Sequence, residues 1–89
     1  MPYELETHPT CGSEIHSLCK KNPVLEQALR NKIKKVLDNP NHFKPLRHSL
    51  AGERRVHVLK NFVLRFEVIE SENKVRLLYF GHHDEAYRR

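Results

Sequence analysis

The sequence predicts an α+β domain in which two helices pack on one face of a twisted sheet of about four strands. Three observations predict this fold. The N-terminal residues alternate polar and apolar side chains, the next segment carries two helical stripes of apolar residues, and three later runs have the two-residue period of strands. At 89 residues the chain has the length of one small domain, so we expect a single domain over residues 1–89.

The first predicted elements are a short strand and a helix. Residues 1–8 alternate tyrosine and leucine with glutamate, as a half-buried strand does. Thr10 or Ser13 can cap a following helix, which we expect over residues 13–21.

A second helix is predicted over residues 23–38. Asn22 is a good N-cap, and Pro23 suits the first helical position because its missing N–H would have no intrahelical partner there. One face of this helix is apolar and comprises Leu25, Ala28, Leu29, Ile33, Val36 and Leu37. The two helices are expected to pack as a hairpin through their apolar faces.

Three strands are predicted in the second half of the chain. They cover residues 54–60, 62–69 and 75–80, and Lys60-Asn61 is expected to form a tight turn between the first two. The run 75–80 has apolar residues on both sides, which predicts a central strand. A three-stranded antiparallel meander joined to the N-terminal strand is the expected sheet.

Charge and composition favour a polyanionic partner. The formal net charge is +5 and the isoelectric point is about 9.5. Cationic proteins bind nucleic acids through release of phosphate counterions, although many small proteins are basic only for solubility. Charge alone therefore leaves the partner open.

Other classes of protein are disfavoured by composition. No run approaches the roughly 18 apolar residues that a membrane span requires, and no secretory signal is recognisable, so we expect a cytoplasmic protein without membrane contact. Cys11 and Cys19 are eight residues apart. On a helix this separates them by about 12 Å, too far for a disulfide, so both are expected to be apolar packing residues.

A cationic group is predicted on the face of the sheet that the helices leave uncovered. Counting by twos along the strands places Arg55, His57 and Arg65 on that face. A lone histidine on a strand is more commonly a surface residue than a functional one. Its association with two arginines raises the functional interpretation to an equal alternative.

The order of elements and several short motifs resemble the RelE/ParE toxin superfamily. The resemblance spans nearly the whole chain and is strongest from residue 38 to residue 88. Its motifs are Asn39-Pro40, Lys44-Pro45-Leu46, Leu50-Ala51-Gly52-Glu53-Arg54-Arg55, Phe62-Val63-Leu64-Arg65-Phe66-Glu67-Val68 and Gly81-His82-His83-Asp84-Glu85-Ala86-Tyr87-Arg88.

The resemblance implies a toxin of a type II toxin–antitoxin system. RelE-like members cut messenger RNA in the ribosomal decoding site, whereas ParE-like members act on DNA gyrase. The expected partners are a small acidic cognate antitoxin, the ribosome and messenger RNA, with operator DNA bound only through the antitoxin. No cofactor is expected.

The resemblance also implies candidate site residues. The predicted catalytic residues are His57, Arg65, His83 and Tyr87. The predicted RNA-phosphate ligands are Lys44, Arg47, Arg54, Arg55, His82 and Arg88. Where RelE-like members carry a key arginine, this chain has Val63, and Arg65 follows two residues later. A mechanism centred on His57 and His83, as in the YafQ-like branch, is therefore favoured.

Three alternatives remain open at this stage. A ParE-like toxin, or an attenuated homologue, could bind a protein target such as gyrase without cutting RNA. Zinc could be held by ligand types from the set His57, His82, His83 and Asp84, although no separated metal-binding motif is present. Direct DNA binding is the least favoured alternative, because no helix-turn-helix is recognisable.

Overall fold

The structure, a computed structural model, describes residues 3–43 and 53–82. It confirms the predicted α+β fold with the order β-α-α-β-β-β. The elements are β1 (Glu4–Thr7), α1 (Pro9–Cys19), α2 (Pro23–Asp38), β2 (Glu53–Val58), β3 (Phe62–Ile69) and β4 (Lys74–His82).

The four strands form one mixed sheet in the order β1-β4-β3-β2. Strands β2, β3 and β4 make the predicted antiparallel meander, and β1 pairs in parallel with β4. The prediction that the last strand is central is therefore confirmed. Among the described residues, no helix combines the length and apolar character needed to cross a membrane.

Helix α1 begins earlier than the sequence predicted. It starts at Pro9 and ends at Cys19, instead of covering residues 13–21. The N-cap is His8, whose Nδ1 atom accepts a hydrogen bond from the Thr10 amide at 3.2 Å. Histidine is not among the preferred N-cap residues, so the Pro at the first helical position was the better indicator of this helix start.

Helix α2 has the predicted bounds and the predicted cap. The Asn22 side-chain oxygen accepts a hydrogen bond from the Leu25 amide at 3.1 Å, and Pro23 occupies the first position. This cap satisfies one of the amides that a helix start leaves without an intrahelical partner.

The predicted two-residue turn between β2 and β3 is wrong in one detail. Strand β2 ends at Val58, and residues 59–61 form the turn. Leu59 has a φ of 56°, in the left-handed region, so it cannot continue the strand.

Both helices pack on the same face of the sheet and share one core. The fully buried side chains there include Leu25, Val36, Leu64, Phe66, Val75 and Phe80. Cys11 and Cys19 belong to this core as free thiols, which confirms the expected packing role. Burial, reinforced by the nearby Glu14 carboxylate, raises the pKa of Cys11 to about 12.

A β-bulge interrupts the pairing of β3 with β4. Arg65 lies opposite Tyr79, but the next residue, Phe66, lies opposite Leu77. Leu78 is therefore the extra residue, and it inverts the alternation along β4. Leu77 and Phe80 both point into the core, while Tyr79 lies on the opposite face with Arg65.

Candidate functional site

The face of the sheet turned away from the helices, called here the open face, carries a row of two arginines and a tyrosine. Arg55 on β2 lies directly opposite Arg65 on β3, and Arg65 lies directly opposite Tyr79 on β4. Side chains that face each other in this way have β-carbons about 5 Å apart. We call these three residues the arginine row.

The neighbouring row on the open face contains a histidine and two buried residues. His57, Val63 and Gly81 lie opposite one another across β2, β3 and β4. Val63 and Gly81 are buried, whereas His57 is exposed. An exposed imidazole therefore lies one pleat repeat, about 7 Å, along β2 from Arg55.

An internal ion pair orients Arg65. Its Nη2 atom lies 2.7 Å from Oε1 of Glu53, and the two side chains are 31% and 16% exposed. The Nε atom of Arg65 is buried and has no acceptor among the described residues. The carboxylate fixes one branch of the guanidinium and offsets part of its charge, which pre-arranges the remaining donors.

Carboxylates neutralise the cations at the other end of the open face. Arg76 pairs with Glu6 at 2.6 Å and with Glu67 at 2.7 Å, and Lys74 pairs with Glu6 at 3.2 Å and with Glu72 at 3.3 Å. Hydrogen bonds from Arg76 and then Lys74 lower the pKa of Glu6 below its ordinary value. Arg76 and Lys74, like Arg65, therefore each lie beside a carboxylate on the described part of the open face.

The structure brings together three of the residues predicted from the sequence. Arg55, His57 and Arg65 lie on one face of two paired strands, and this part of the prediction is confirmed. Their side chains present two guanidinium groups and one imidazole on the same surface. Such a set can bind a phosphate and exchange protons near neutral pH.

Two other predicted phosphate ligands lie on the helix-bearing face. Arg54 donates from Nη1 to the Phe43 carbonyl at 2.9 Å and from Nη2 to Oδ1 of Asn41 at 3.3 Å. The His82 ring packs against Phe62, with 4.6 Å between the ring centroids. Neither residue shares the surface of Arg55, so a common RNA contact has no geometric support.

The remaining predicted site residues lie outside the described residues. They are Lys44, Arg47, His83, Tyr87 and Arg88. For the zinc alternative, His57 and His82 lie on opposite faces of the sheet, and the described residues contain no cluster of metal-ligand side chains.

Sequence reasoning missed Tyr79 and Glu53. Counting by twos from Val75 and Leu77 places Tyr79 in the core, and only the bulge at Leu78 turns it to the open face. The signal in the sequence was the unbroken apolar run that ends in Phe80. Strict alternation can bury Val75 and Leu77 together, but it cannot also bury Phe80.

The fold and the open face define a class of protein: a small α+β domain with RelE architecture. A double variant of Escherichia coli RelE in the free state superposes with a TM-score of 0.79 at 17% identity, covering 97% of this chain and 88% of that one. The RelBE2 toxin–antitoxin complex of Mycobacterium tuberculosis gives a TM-score of 0.76 at 22% identity, covering 93% of this chain and 100% of that chain. The DinJ–YafQ toxin–antitoxin complex of Escherichia coli gives 0.75 at 18% identity, with coverage of 98% and 99%.

Sequence comparison identifies the family. The profile of the ParE toxin of type II toxin–antitoxin systems matches residues 12–87. The RelE4 protein of Methanocaldococcus jannaschii, whose name places it among candidate toxins, is 37% identical over 87 residues, which is 98% of this chain and 93% of that protein. A protein of Methanosarcina mazei is 33% identical over 85 residues, or 96% of this chain and 99% of that protein. The chain belongs to the ParE toxin family of type II toxin–antitoxin systems, within the RelE/ParE superfamily.

Proposed function

We propose that this toxin is a metal-independent, ribosome-dependent endoribonuclease that cleaves messenger RNA and thereby inhibits translation. The observation that carries the proposal is the direct opposition of Arg55 and Arg65, with His57 in the neighbouring row of the same face. Cleaving RNA without a metal requires a base for the 2′-OH, an acid for the leaving 5′-oxygen and cations for the phosphate. The open face offers side chains of these types.

Arg55 and Arg65 are the proposed phosphate ligands. The planar guanidinium group pairs with two phosphate oxygens at once, so two opposed arginines can hold a phosphate from both sides. Glu53 already orients Arg65 by a bond at 2.7 Å, which lowers the cost of ordering that side chain when RNA binds.

His57 is the proposed general base. Its side chain is exposed, and a neutral imidazole can accept the 2′-OH proton. His83 is the proposed acid for the 5′-oxygen, and Tyr87 has a smaller supporting role. The proton abstracted from the 2′-OH and the proton delivered to the leaving oxygen then balance over the reaction.

Arg65 is proposed to replace the arginine that RelE-like members carry at the position of Val63. Val63 has no exposed surface here and cannot contribute a charge. Arg65 lies on the same face one pleat repeat of about 7 Å away, at the height of Arg55. The phosphate would therefore bind at the arginine row.

Single-turnover cleavage on programmed ribosomes tests the acid–base assignment. His57→Ala and His83→Ala should each slow cleavage by about 10²- to 10⁴-fold, the usual contribution of a general acid or base. Tyr87→Phe should have a smaller effect. His16→Ala is the matched control, because His16 is an exposed histidine on α1, far from the open face. Parental rates for both His57→Ala and His83→Ala would show the assignment to be wrong.

A second candidate function is binding of a protein target without RNA cleavage. Two observations favour it: the matching family profile is that of ParE, and Glu53 offsets part of the charge on Arg65. Cell-free translation with the purified toxin and mapping of new RNA 5′ ends discriminates the two functions. Cuts confined to ribosome-bound messages support the endoribonuclease, whereas the absence of cuts together with recovery of gyrase subunits by affinity purification supports the binder.

An acidic antitoxin is the proposed regulatory partner. The RelBE2 and DinJ–YafQ relatives are described as toxin–antitoxin complexes. The net charge of +5 makes an acidic protein a suitable cover for the cationic surface, and operator DNA would be bound only through that protein. Both the ribosome and the antitoxin would be met in the cytoplasm. Coexpression and affinity purification should recover a small acidic protein encoded nearby.

A further inference from the structure

The bulge in β4 places an aromatic ring beside the two arginines. If β4 ran through Leu78 as a regular strand without the bulge, alternation from Leu77 would bury Tyr79 and expose Phe80. The bulge reverses this, so Tyr79 is half-buried on the open face and lies directly opposite Arg65. Bulges are commonly used to re-aim one side chain near a functional site.

The absence of a side chain at Gly81 allows the Tyr79 ring to extend along the sheet. A β-carbon built at Gly81 would lie 2.8 Å from Cζ of Tyr79 and 3.3 Å from Cε2, and closer still to the hydroxyl. These separations are shorter than van der Waals contact, so the ring occupies the space over Gly81. The ring therefore lies over the row that contains the buried Val63, next to the arginine row.

We propose that Tyr79 is a substrate-binding residue whose ring packs against a nucleobase next to the phosphate held by Arg55 and Arg65. The inference deepens the proposed function and rests on it for the identity of the ligand as RNA. In a nucleotide, a flat π-surface lies close to a phosphate. The open face carries Tyr79, Arg65 and Arg55 in one row on three adjacent strands, with the β-carbons of neighbouring residues about 5 Å apart. Aromatic side chains stack with any base, so Tyr79 would contribute affinity and a preference for large bases.

Binding to an RNA that cannot be cut tests this inference without depending on catalysis. The probe is a short single-stranded RNA with 2′-O-methyl riboses, and the readout is its dissociation constant by fluorescence anisotropy at low salt. Tyr79→Phe should bind like the parent, because the ring remains. Tyr79→Leu keeps the apolar bulk without the ring and should weaken binding by about 5- to 100-fold.

An abasic version of the same RNA supplies the readout that a purely structural role would not move. If the ring contacts a base, the parent and Tyr79→Leu should bind the abasic RNA with equal affinity, since the contact is missing from both complexes. Gly81→Ala is the second variant, because its methyl group would displace the ring without changing the tyrosine itself. It should reproduce the loss seen with Tyr79→Leu, and combining the two substitutions should add nothing further.

Three outcomes would overturn the inference: Tyr79→Leu binding the intact RNA as tightly as the parent, an equal loss on intact and abasic RNA, or no binding by the parent. Circular dichroism establishes that each variant is folded. Base-dependent binding without any cleavage on ribosomes would support the role of Tyr79 and contradict the proposed nuclease. Cleavage at the same rate with and without the Tyr79 ring would support the proposed nuclease and contradict the role of Tyr79. The two failures are therefore distinguishable.

Discussion

Two adjacent arginines, Arg54 and Arg55, lie on opposite faces of β2 and belong to different environments. Arg55 faces Arg65 on the open face, whereas Arg54 donates hydrogen bonds to the Phe43 carbonyl and to Asn41. Adjacent residues on a strand point in opposite directions, so a shared residue type does not imply a shared role. Arg54 is therefore a structural residue in this geometry.

The contacts of Arg54 continue into a network that joins distant segments. Nδ2 of Asn41 donates to Oε2 of Glu70 at 3.0 Å, and the Tyr3 hydroxyl donates to Oε1 of Glu70 at 2.7 Å. These two hydrogen bonds lower the pKa of Glu70, and the bond to Glu70 raises the pKa of Tyr3. The network connects the segment after α2 to Tyr3, just before β1, and to Arg54 on β2. Strands β1 and β2 are the two edge strands of the sheet.

Arg54→Ala should reduce the free energy of unfolding by about 1–3 kcal/mol, because it leaves the Phe43 carbonyl without this partner and removes a charged donor. Arg30→Ala is the matched control. Its side chain is 67% exposed and, among the described residues, pairs only with Glu26 on the same helix, so its removal should change stability by less than about 0.5 kcal/mol. Urea denaturation measures both. Equal losses for the two variants would show that the contacts of Arg54 contribute little.

At the scale of the element, ion pairs join β1 to the sheet. Strand β1 has only four residues and pairs with β4 alone. The Glu6 carboxylate accepts from Arg76 on β4, which also donates to Glu67 on β3. The charged row therefore crosses three strands and supports the shortest one.

Acidification should weaken this row. The pKa of Glu6 is lower in the folded protein than its ordinary value of about 4.3, so the unfolded chain takes up the proton first. The stabilisation is present above about pH 4.3 and is lost as the pH falls through the lowered pKa. Glu6→Gln should be less stable than the parent at pH 7, and the difference should shrink towards pH 3.

Glu4→Gln is the control for this pH dependence. It makes the same chemical change on the same strand, and among the described residues Glu4 has no ion pair. Denaturation midpoints are measured at pH 7, 5 and 3. The difference between the parent and Glu6→Gln should shrink as the pH falls, whereas the difference between the parent and Glu4→Gln should not. A constant difference between the parent and Glu6→Gln at every pH would contradict the role of the ion pairs.

At the scale of the whole molecule, charge is distributed unevenly between the two layers. On the open face, a carboxylate oxygen lies within 4.0 Å of a side-chain nitrogen of Arg65, of Arg76 and of Lys74. In the helical layer no carboxylate of the described residues lies within that distance of Lys32, Lys34 or Lys35, all on α2. The helical layer therefore contributes uncompensated positive charge that acts over a distance, whereas the open face carries the proposed contact residues.

Replacing Lys32, Lys34 and Lys35 together by Gln should slow association with RNA at low salt. The effect should vanish in about 0.5 M salt, because screening then acts within a few ångströms. The dissociation rate and the dependence on Tyr79 should not change, since these lysines lie on the other layer. Stopped-flow fluorescence measures the rates.

Lys60→Gln, on the turn between β2 and β3, is the control for this charge effect because it removes one cation from the sheet layer. A triple variant with faster dissociation and unaltered association would show that the α2 lysines contact RNA directly and do not act at a distance.

Local physical chemistry made much of this fold predictable from the sequence alone. Asn22 and Pro23 set the start of α2, and the alternation over residues 62–69 gave β3 with its observed bounds. Alternation along β2 and β3 also placed Arg55, His57 and Arg65 on one face. These predictions succeeded because capping and side-chain alternation depend on residues close together in the chain.

Only the tertiary structure decided the orientation of Tyr79 and the partners of the charged residues. The bulge at Leu78 exists only in the pairing of β4 with β3, and it determines which side of the sheet carries the ring. Glu6 and Arg76 are 70 residues apart in the chain and meet because β1 lies beside β4. No local pattern encodes such contacts, since strand register and strand order are set by the packing of the whole core.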